Sequence, residues 1–211
     1  MFVEHLADDR GQAHTLEAFT AALLLIAGLI FATQATAVTP LSASTSNQHV
    51  ENQAAIAAQD MLTTTEESGN LTAALLYYED GKFVDSGDGT GYAGMPPESH
   101  PLYGPLTEAF GDRQTAFDIE VYYPEDGGNR TGDATVVDMG SPSDNAATAS
   151  ARVALYGDDR LFNATVDDPD DATYSGPRLA NESGHDYFAP SVGGSDTLYT
   201  VVEVKITAWQ M

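Results

Sequence analysis

The chain has 211 residues, of which 32 are acidic and 8 are basic, so its formal net charge at pH 7 is -24. This charge excludes the basic surface on which nucleic-acid binding depends, and the lack of cysteine excludes disulfides and thiolate metal sites. So many carboxylates repel one another in dilute buffer, whereas molar salt shortens the screening length to about 3 Å. The composition therefore predicts a halophilic protein.

A long apolar segment lies close to the N terminus. Residues 18–38 are mostly apolar, and as a helix they would span roughly 32 Å at about 1.5 Å per residue. The hydrocarbon core of a bilayer is about 30 Å thick, and the rest of the chain has too little apolar mass to surround a helix that is apolar on all sides. We therefore predict a leader of residues 1–11 and a transmembrane helix over residues 12–38.

Three residues of this helix are candidates for packing roles. Glu17 lies at its N-terminal edge, where the helix dipole favours a negative charge; it either marks the water boundary or pairs with a neighbouring subunit. Gly28 and Ala32 are small residues four positions apart, a spacing that lets membrane helices approach closely. Small residues are also common in membrane helices that make no such contact.

A second helical stretch is predicted over residues 42–64, after Pro40, which is expected to kink or end the first helix. Its apolar residues recur at spacings of three and four, which places them on one face: Val50, Ala54, Ala57, Ala58, Met61 and Leu62. We interpret residues 39–68 as a helical extension that packs on a soluble head of residues 69–211.

The head changes from a helical pattern to a strand pattern. Short helices are predicted over residues 70–78 and 102–110, the second of them ended by Gly111. Alternating apolar residues then predict four half-buried antiparallel strands, over residues 116–123, 134–139, 147–156 and 197–209. The predicted fold class is therefore α+β, a long N-terminal helix followed by an antiparallel β head.

The segment between the last two strands, residues 157–196, is rich in Asp, Gly, Pro and Ser. We predict that it is mainly surface loop, with at most a short strand at residues 187–188. Trp209, on the last strand, is expected to be an aromatic at the edge of the core.

The sequence Arg10-Gly11-Gln12-Ala13, placed directly before the apolar helix, resembles the class III signal peptide of archaeal type IV pilins and pilin-like proteins. In that family a membrane peptidase cuts after the glycine, so the resemblance implies cleavage between Gly11 and Gln12 with the helix retained. A long N-terminal helix with an antiparallel head also resembles the pilin architecture, and the acidity points to the haloarchaeal branch. Family pilins often carry Glu at the fifth mature position, whereas Glu17 would be the sixth.

The resemblance implies a structural role, as a pilus or pseudopilus subunit or an assembly component. Two other processing routes remain open: a secretory signal peptide cut after residues 35–37, and an uncleaved signal anchor. Cleavage after Gly11 would remove 11 residues, cleavage of a secretory signal peptide would remove 37, and a signal anchor would lose none. Each of the three routes makes the head extracellular. The alternative function is a monomeric, signal-anchored extracellular binding module without a filament role.

Four Asn-x-Ser/Thr sequons are candidates for glycosylation in an extracellular head. They begin at Asn70, Asn129, Asn163 and Asn181. Because the motif is short and the chain is rich in Ser and Thr, chance is the alternative explanation.

Catalytic motifs are not found. The histidines lack the i, i+4 spacing of a zinc helix, there is no Gly-x-Ser-x-Gly motif, and residues 87–91 lack the ending of a phosphate loop. The Asp-rich segments 158–159 and 167–171 lack the spacing of a calcium loop, which favours a solvated acidic surface. We therefore predict no enzyme activity, cofactor, metal or small-molecule substrate; the expected partners are the membrane and other pilin-like subunits.

Overall fold

The computed structural model describes residues 5–210 apart from 88, 112–114, 168–173, 182–185 and 193–196; in the first helix it describes the side chains of residues 14–33, 48, 49 and from 51 onward. Contacts divide the chain into two units, Met1–His49 and Val50–Met211. The fold class is α+β with an N-terminal apolar helix and an antiparallel sheet, as the sequence predicts.

The first helix, α1, extends from His5 to Ser68 and contributes to both units. The helix does not end at Pro40, so of the two predicted effects of this proline, a kink or an end of the helix, the second is wrong. A proline removes one backbone hydrogen bond and costs about 3 kcal/mol inside a helix, while the turns on both sides keep their own hydrogen bonds. One proline is therefore insufficient to end a helix of 64 residues.

In the second unit, α1 buries the face that the sequence predicts. Ala58, Met61 and Leu62 are buried in the core, and Ala54 and Ala57 pack against it. The spacing of three and four residues correctly identified the packed side of the helix.

The second unit otherwise consists of two short helices, a small hairpin and a four-stranded sheet. The elements are α2 (Asn70–Leu76), β1 (Tyr78–Glu79), β2 (Lys82–Phe83), α3 (Tyr103–Phe110), β3 (Thr115–Glu125), β4 (Arg130–Val137), β5 (Ala147–Tyr156) and β6 (Leu198–Gln210). The sheet order is β4-β3-β6-β5, and every neighbouring pair is antiparallel. All four predicted strands are present, and α3 ends at the predicted Gly111.

Two strands are longer than predicted, because β4 begins four residues earlier and β3 continues past Pro124. The pairing of β3 with β6 stops at Tyr122, so Pro124 pairs only with β4, through Thr131. At that position the missing N–H of the proline costs no hydrogen bond to β6.

The described part of residues 157–196 contains no helix or strand and many of its residues are exposed, as predicted, but the segment also contributes to the core, which was not predicted. Five of their apolar side chains are buried in the core: Leu161, Phe162, Tyr174, Leu179 and Ala189. The backbone N–H of Phe162 donates to the carbonyl of Leu76 (2.9 Å), which fixes the segment to α2. Tyr187 and Phe188 pack against the core without forming a strand. The described part of this segment therefore covers the apolar core.

At Gly91 two backbone segments approach each other closely. The N–H of Tyr92 donates to the carbonyl of Val136 (2.8 Å), and a Cβ added at Gly91 would overlap the carbonyl oxygen of Thr135. Because the obstacle is backbone, we expect Gly91→Ala to lower the free energy of unfolding by about 1–3 kcal/mol. Chemical denaturation in molar salt would measure this loss.

Gly104→Ala is the matched control, since nothing lies within 4 Å of a Cβ at that helical position. This variant should be at least as stable as the wild type, because alanine is the better helix former. Equal unfolding free energies for the two variants would contradict the explanation.

Candidate functional site

The most unusual surface of the described residues is the apolar part of α1. The segment His14–Thr33 is long and apolar enough to cross a membrane, a property that a signal sequence near an N terminus shares, and none of it is buried. Its nine large apolar side chains are each at least half exposed: Leu16, Phe19, Leu23, Leu24, Leu25, Ile26, Leu29, Ile30 and Phe31. A contiguous exposed apolar surface of this kind is typical of a membrane anchor, a signal sequence or a partner-binding site.

Two threonine hydroxyl groups of this segment are satisfied within the helix. Thr20 Oγ1 donates to the carbonyl of Leu16 (2.9 Å), and Thr33 Oγ1 donates to the carbonyl of Leu29 (3.1 Å). Such bonds remove the cost of placing a free hydroxyl in an apolar medium. The two threonines are therefore compatible with an apolar environment on all sides of the helix.

Glu17 lies near the start of this segment with a polar neighbour on its own helix. Its Oε2 is 3.7 Å from Nδ1 of His14, and both side chains are more than three-quarters exposed. Sequence reasoning missed this pair, although the i, i+3 spacing is one at which helical side chains meet. An exposed pair of this kind stabilises little by itself, so both groups stay accessible to a partner.

The other predicted residues of the helix differ in what the structure says of them. A Cβ added at Gly28 meets nothing within 4 Å, and Ala32 is exposed. No contact of the described chain therefore requires glycine at position 28. Arg10, Gly11 and Gln12 lie within the bounds of α1, but their side chains are outside the described residues.

The four sequons occupy different environments. Asn129 is exposed beside the turn that joins β3 to β4, whereas Asn70 and Asn163 are half-buried. Asn70 is the first residue of α2. Asn181 is exposed, but residues 182 and 183 of its sequon lie outside the described residues.

His100 is a deeply buried ionisable group of the second unit. It is 2% exposed, and its ring meets those of Tyr77 and Tyr92 edge-on, with centroids 5.5 and 5.1 Å away. Nδ1 accepts the N–H of Leu102 (3.2 Å), and Nε2 has no hydrogen-bond partner within the described part of the chain. Burial lowers the pKa of His100 to about 3, so the ring is neutral at physiological pH and packs as a core residue.

The basic groups on the exposed face of the sheet are paired with carboxylates. Lys205 Nζ and the Tyr122 hydroxyl both donate to Glu120 Oε2 (3.4 and 2.7 Å), and Arg152 lies 3.7 Å from Glu203. The hydrogen bond to Glu120 raises the pKa of Tyr122. In the described ranges, no three His, Asp or Glu side chains are grouped to hold a metal ion.

Comparison with known proteins gives one family. The model of DUF7288, a family of unknown function, matches residues 10–208. Neither the curated proteins nor the solved structures contain a match. The matched range includes the apolar part of α1 together with nearly all of the second unit.

Proposed function

We propose that this chain, which belongs to the DUF7288 family of unknown function, is a pilin-like, membrane-anchored surface protein of a halophile, acting as a pilus or pseudopilus subunit or as an assembly component. The observation that carries the proposal is the uncovered apolar segment His14–Thr33. The chain is held in the membrane by one helix, and its head is extracellular.

The dimensions and energetics of the segment support a membrane anchor. Its 20 residues form roughly 30 Å of helix, which matches the hydrocarbon core. Removing one large apolar side chain from water is worth about 1.5–3 kcal/mol, so nine exposed ones favour insertion strongly.

The resemblance of residues 10–13 to a class III signal peptide supports cleavage after Gly11. The N-terminal peptide of protein purified from its native cells tests this step, because cleavage there makes Gln12 the first residue. A mature chain that begins near Val38 would contradict the proposal that the anchor is retained. An intact N terminus would mean that the helix is an uncleaved signal anchor.

Assembly through the helix is supported by the small pair Gly28 and Ala32. We expect Gly28→Leu to weaken association between subunits, because a larger side chain keeps two helices apart. Steric overpacking costs about 1–3 kcal/mol, roughly a 5- to 150-fold loss of affinity. The yield of cross-linked subunits in native membranes, or of filaments, would measure it. The variant should otherwise fold normally, since a side chain at Gly28 meets nothing in its own chain.

Ala27→Leu is the matched control, since it adds similar bulk one residue away, about 100° around the helix. It should assemble better than Gly28→Leu. If the wild type and both variants stay in the membrane and none of them cross-links, the protein is instead the monomeric anchored binding module. Equal cross-linking of all three chains would contradict a role of Gly28 in the interface.

A further inference from the structure

Given the extracellular head of the proposed function, on which this inference rests, we propose that Asn129 is an N-glycosylation site of this protein, and that the sequons at Asn70 and Asn163 are not used in the folded chain. The modifying enzyme is a membrane oligosaccharyltransferase, and the donor is a sugar linked through phosphate to a lipid. The proposal stands on how the fold presents each sequon.

Asn129 projects from the end of the β3–β4 hairpin. Asp126, Gly127 and Gly128 all have positive φ, at 50°, 69° and 91°, and together they form the turn that precedes it. Asn129, Arg130 and Thr131 are all exposed. A macromolecular enzyme can therefore reach the three residues of the sequon at once.

The rest of this sequon lies on an edge strand. β4 is the edge strand of the sheet and neighbours only β3 among the four strands. The bridge from Tyr92 reaches its far end at Val137, so Thr131 is at the border of the sheet. Arg130 lies 3.5 Å from the carboxylates of Glu125 and Asp126. These contacts are exposed and weak, so they do not block access to Asn129.

The hydrogen bond of the Asn129 amide is compatible with modification. Nδ2 donates to the carbonyl of Asp126 (2.9 Å), and an amide nitrogen has two hydrogens. In the transfer, Nδ2 bonds to C1 of the sugar and gives up one proton to a base of the enzyme. The bond from C1 to the phosphate oxygen breaks, and the lipid phosphate leaves with the electron pair. The remaining N–H still donates to Asp126.

The other described sequons are held in closed structures. Asn70 begins α2, and the central residue of its sequon, Leu71, is buried in the core. The side-chain oxygen of Asn163 accepts the backbone N–H of Thr165 (3.0 Å), and the backbone N–H of Asn163 donates to Asp167 Oδ2 (2.8 Å). Asn70 and Asn163 are both half-buried, so an enzyme reaches them less readily than the exposed Asn129.

The test is mass spectrometry of glycopeptides from the full chain purified from its native cells. We expect a sugar mass on the peptide that contains Asn129 and unmodified peptides around Asn70 and Asn163. Thr131→Ala should abolish the modification with Asn129 still in place, whereas Thr131→Ser preserves the sequon and should keep it. Because residue 131 is exposed, both variants are expected to fold.

Protease added to intact cells separates this inference from the proposed function. A head that is cleaved from outside but carries an unmodified Asn129 overturns the inference and leaves the anchor standing. A head that is protected from the protease and carries an unmodified Asn129 would instead contradict the extracellular topology of the proposed function. Modification confined to Asn70 or Asn163 would also overturn the inference.

Discussion

Leu25→Asp is expected to weaken membrane insertion and to raise the share of the protein in the soluble fraction. Leu25 lies near the middle of the apolar segment, and its side chain is 75% exposed, so the change removes no packing from the chain itself. A carboxylate at the centre of a membrane helix costs about 2.5–3.5 kcal/mol, roughly a 100-fold shift in partitioning. Fractionation of cell lysates in molar salt, with extraction at alkaline pH, would measure the change.

Ile56→Asp is the matched control. Ile56 is also a large, exposed apolar residue of α1, at 60% exposure, but it lies outside the segment His14–Thr33. This variant should stay in the membrane fraction. If Leu25→Asp fractionates like Ile56→Asp, the apolar segment does not hold the protein in the membrane.

The elements that the sequence predicts well are those with a regular apolar pattern. The buried face that includes Ala58 and Leu62 and the four strands repeat at a helical or strand period, whereas the membrane-length helix is identified by its length and continuous apolar composition. A periodic pattern specifies which side of an element is buried. Burial then fixes the register of neighbouring strands, because a slip of one residue exposes the apolar side.

The parts of the fold that the sequence did not predict have no periodic pattern of apolar residues. Between β5 and β6, Leu161, Phe162 and Leu179 are isolated apolar residues in a polar background, and only their tertiary contacts bury them. The same holds for the end of β3, where Pro124 is tolerated because β6 does not extend that far. Whether a strand has a neighbour on one side or both is a property of the whole sheet.

The candidate site divides in the same way. Composition alone identifies the apolar segment, and spacing alone identifies the pair Gly28 and Ala32. Exposure is not encoded locally: the sequons at Asn129 and Asn163 have the same form, and only the fold distinguishes them. His100 likewise has no motif, and its burial follows from the packing of Tyr77 and Tyr92 around it.

Acid should destabilise the second unit through His100. The folded pKa of this histidine is lowered by burial to about 3, below its ordinary value of 6.5. Between these two values the unfolded chain binds a proton that the folded chain does not, so unfolding becomes easier as the pH falls. The stability that belongs to the neutral ring is fully present above pH 6.5 and is lost toward pH 3, by up to about 1.4 kcal/mol per pH unit.

His100→Phe isolates this contribution. Phenylalanine removes the buried Nε2 that lacks a partner but also the acceptor of the Leu102 N–H, so its stability at neutral pH can differ from that of the wild type. The informative quantity is the slope against pH. Burial raises the pKa of Asp118 and Asp159, which opposes acid unfolding, but both residues remain in the variant and cancel in the difference.

Denaturation of the full chain in detergent and molar salt, monitored by tryptophan fluorescence, would measure the slope of stability against pH for the wild type and for His100→Phe. Trp209 is the only tryptophan and is 6% exposed on β6, so its emission reports the opening of the sheet. We expect the stability of the wild type to fall relative to His100→Phe as the pH decreases below 6.5. Parallel curves between pH 4 and 7 would mean that the ring can take up its proton without unfolding the core. Because the aromatic rings around His100 offer no carboxylate to an imidazolium, we expect the curves to diverge.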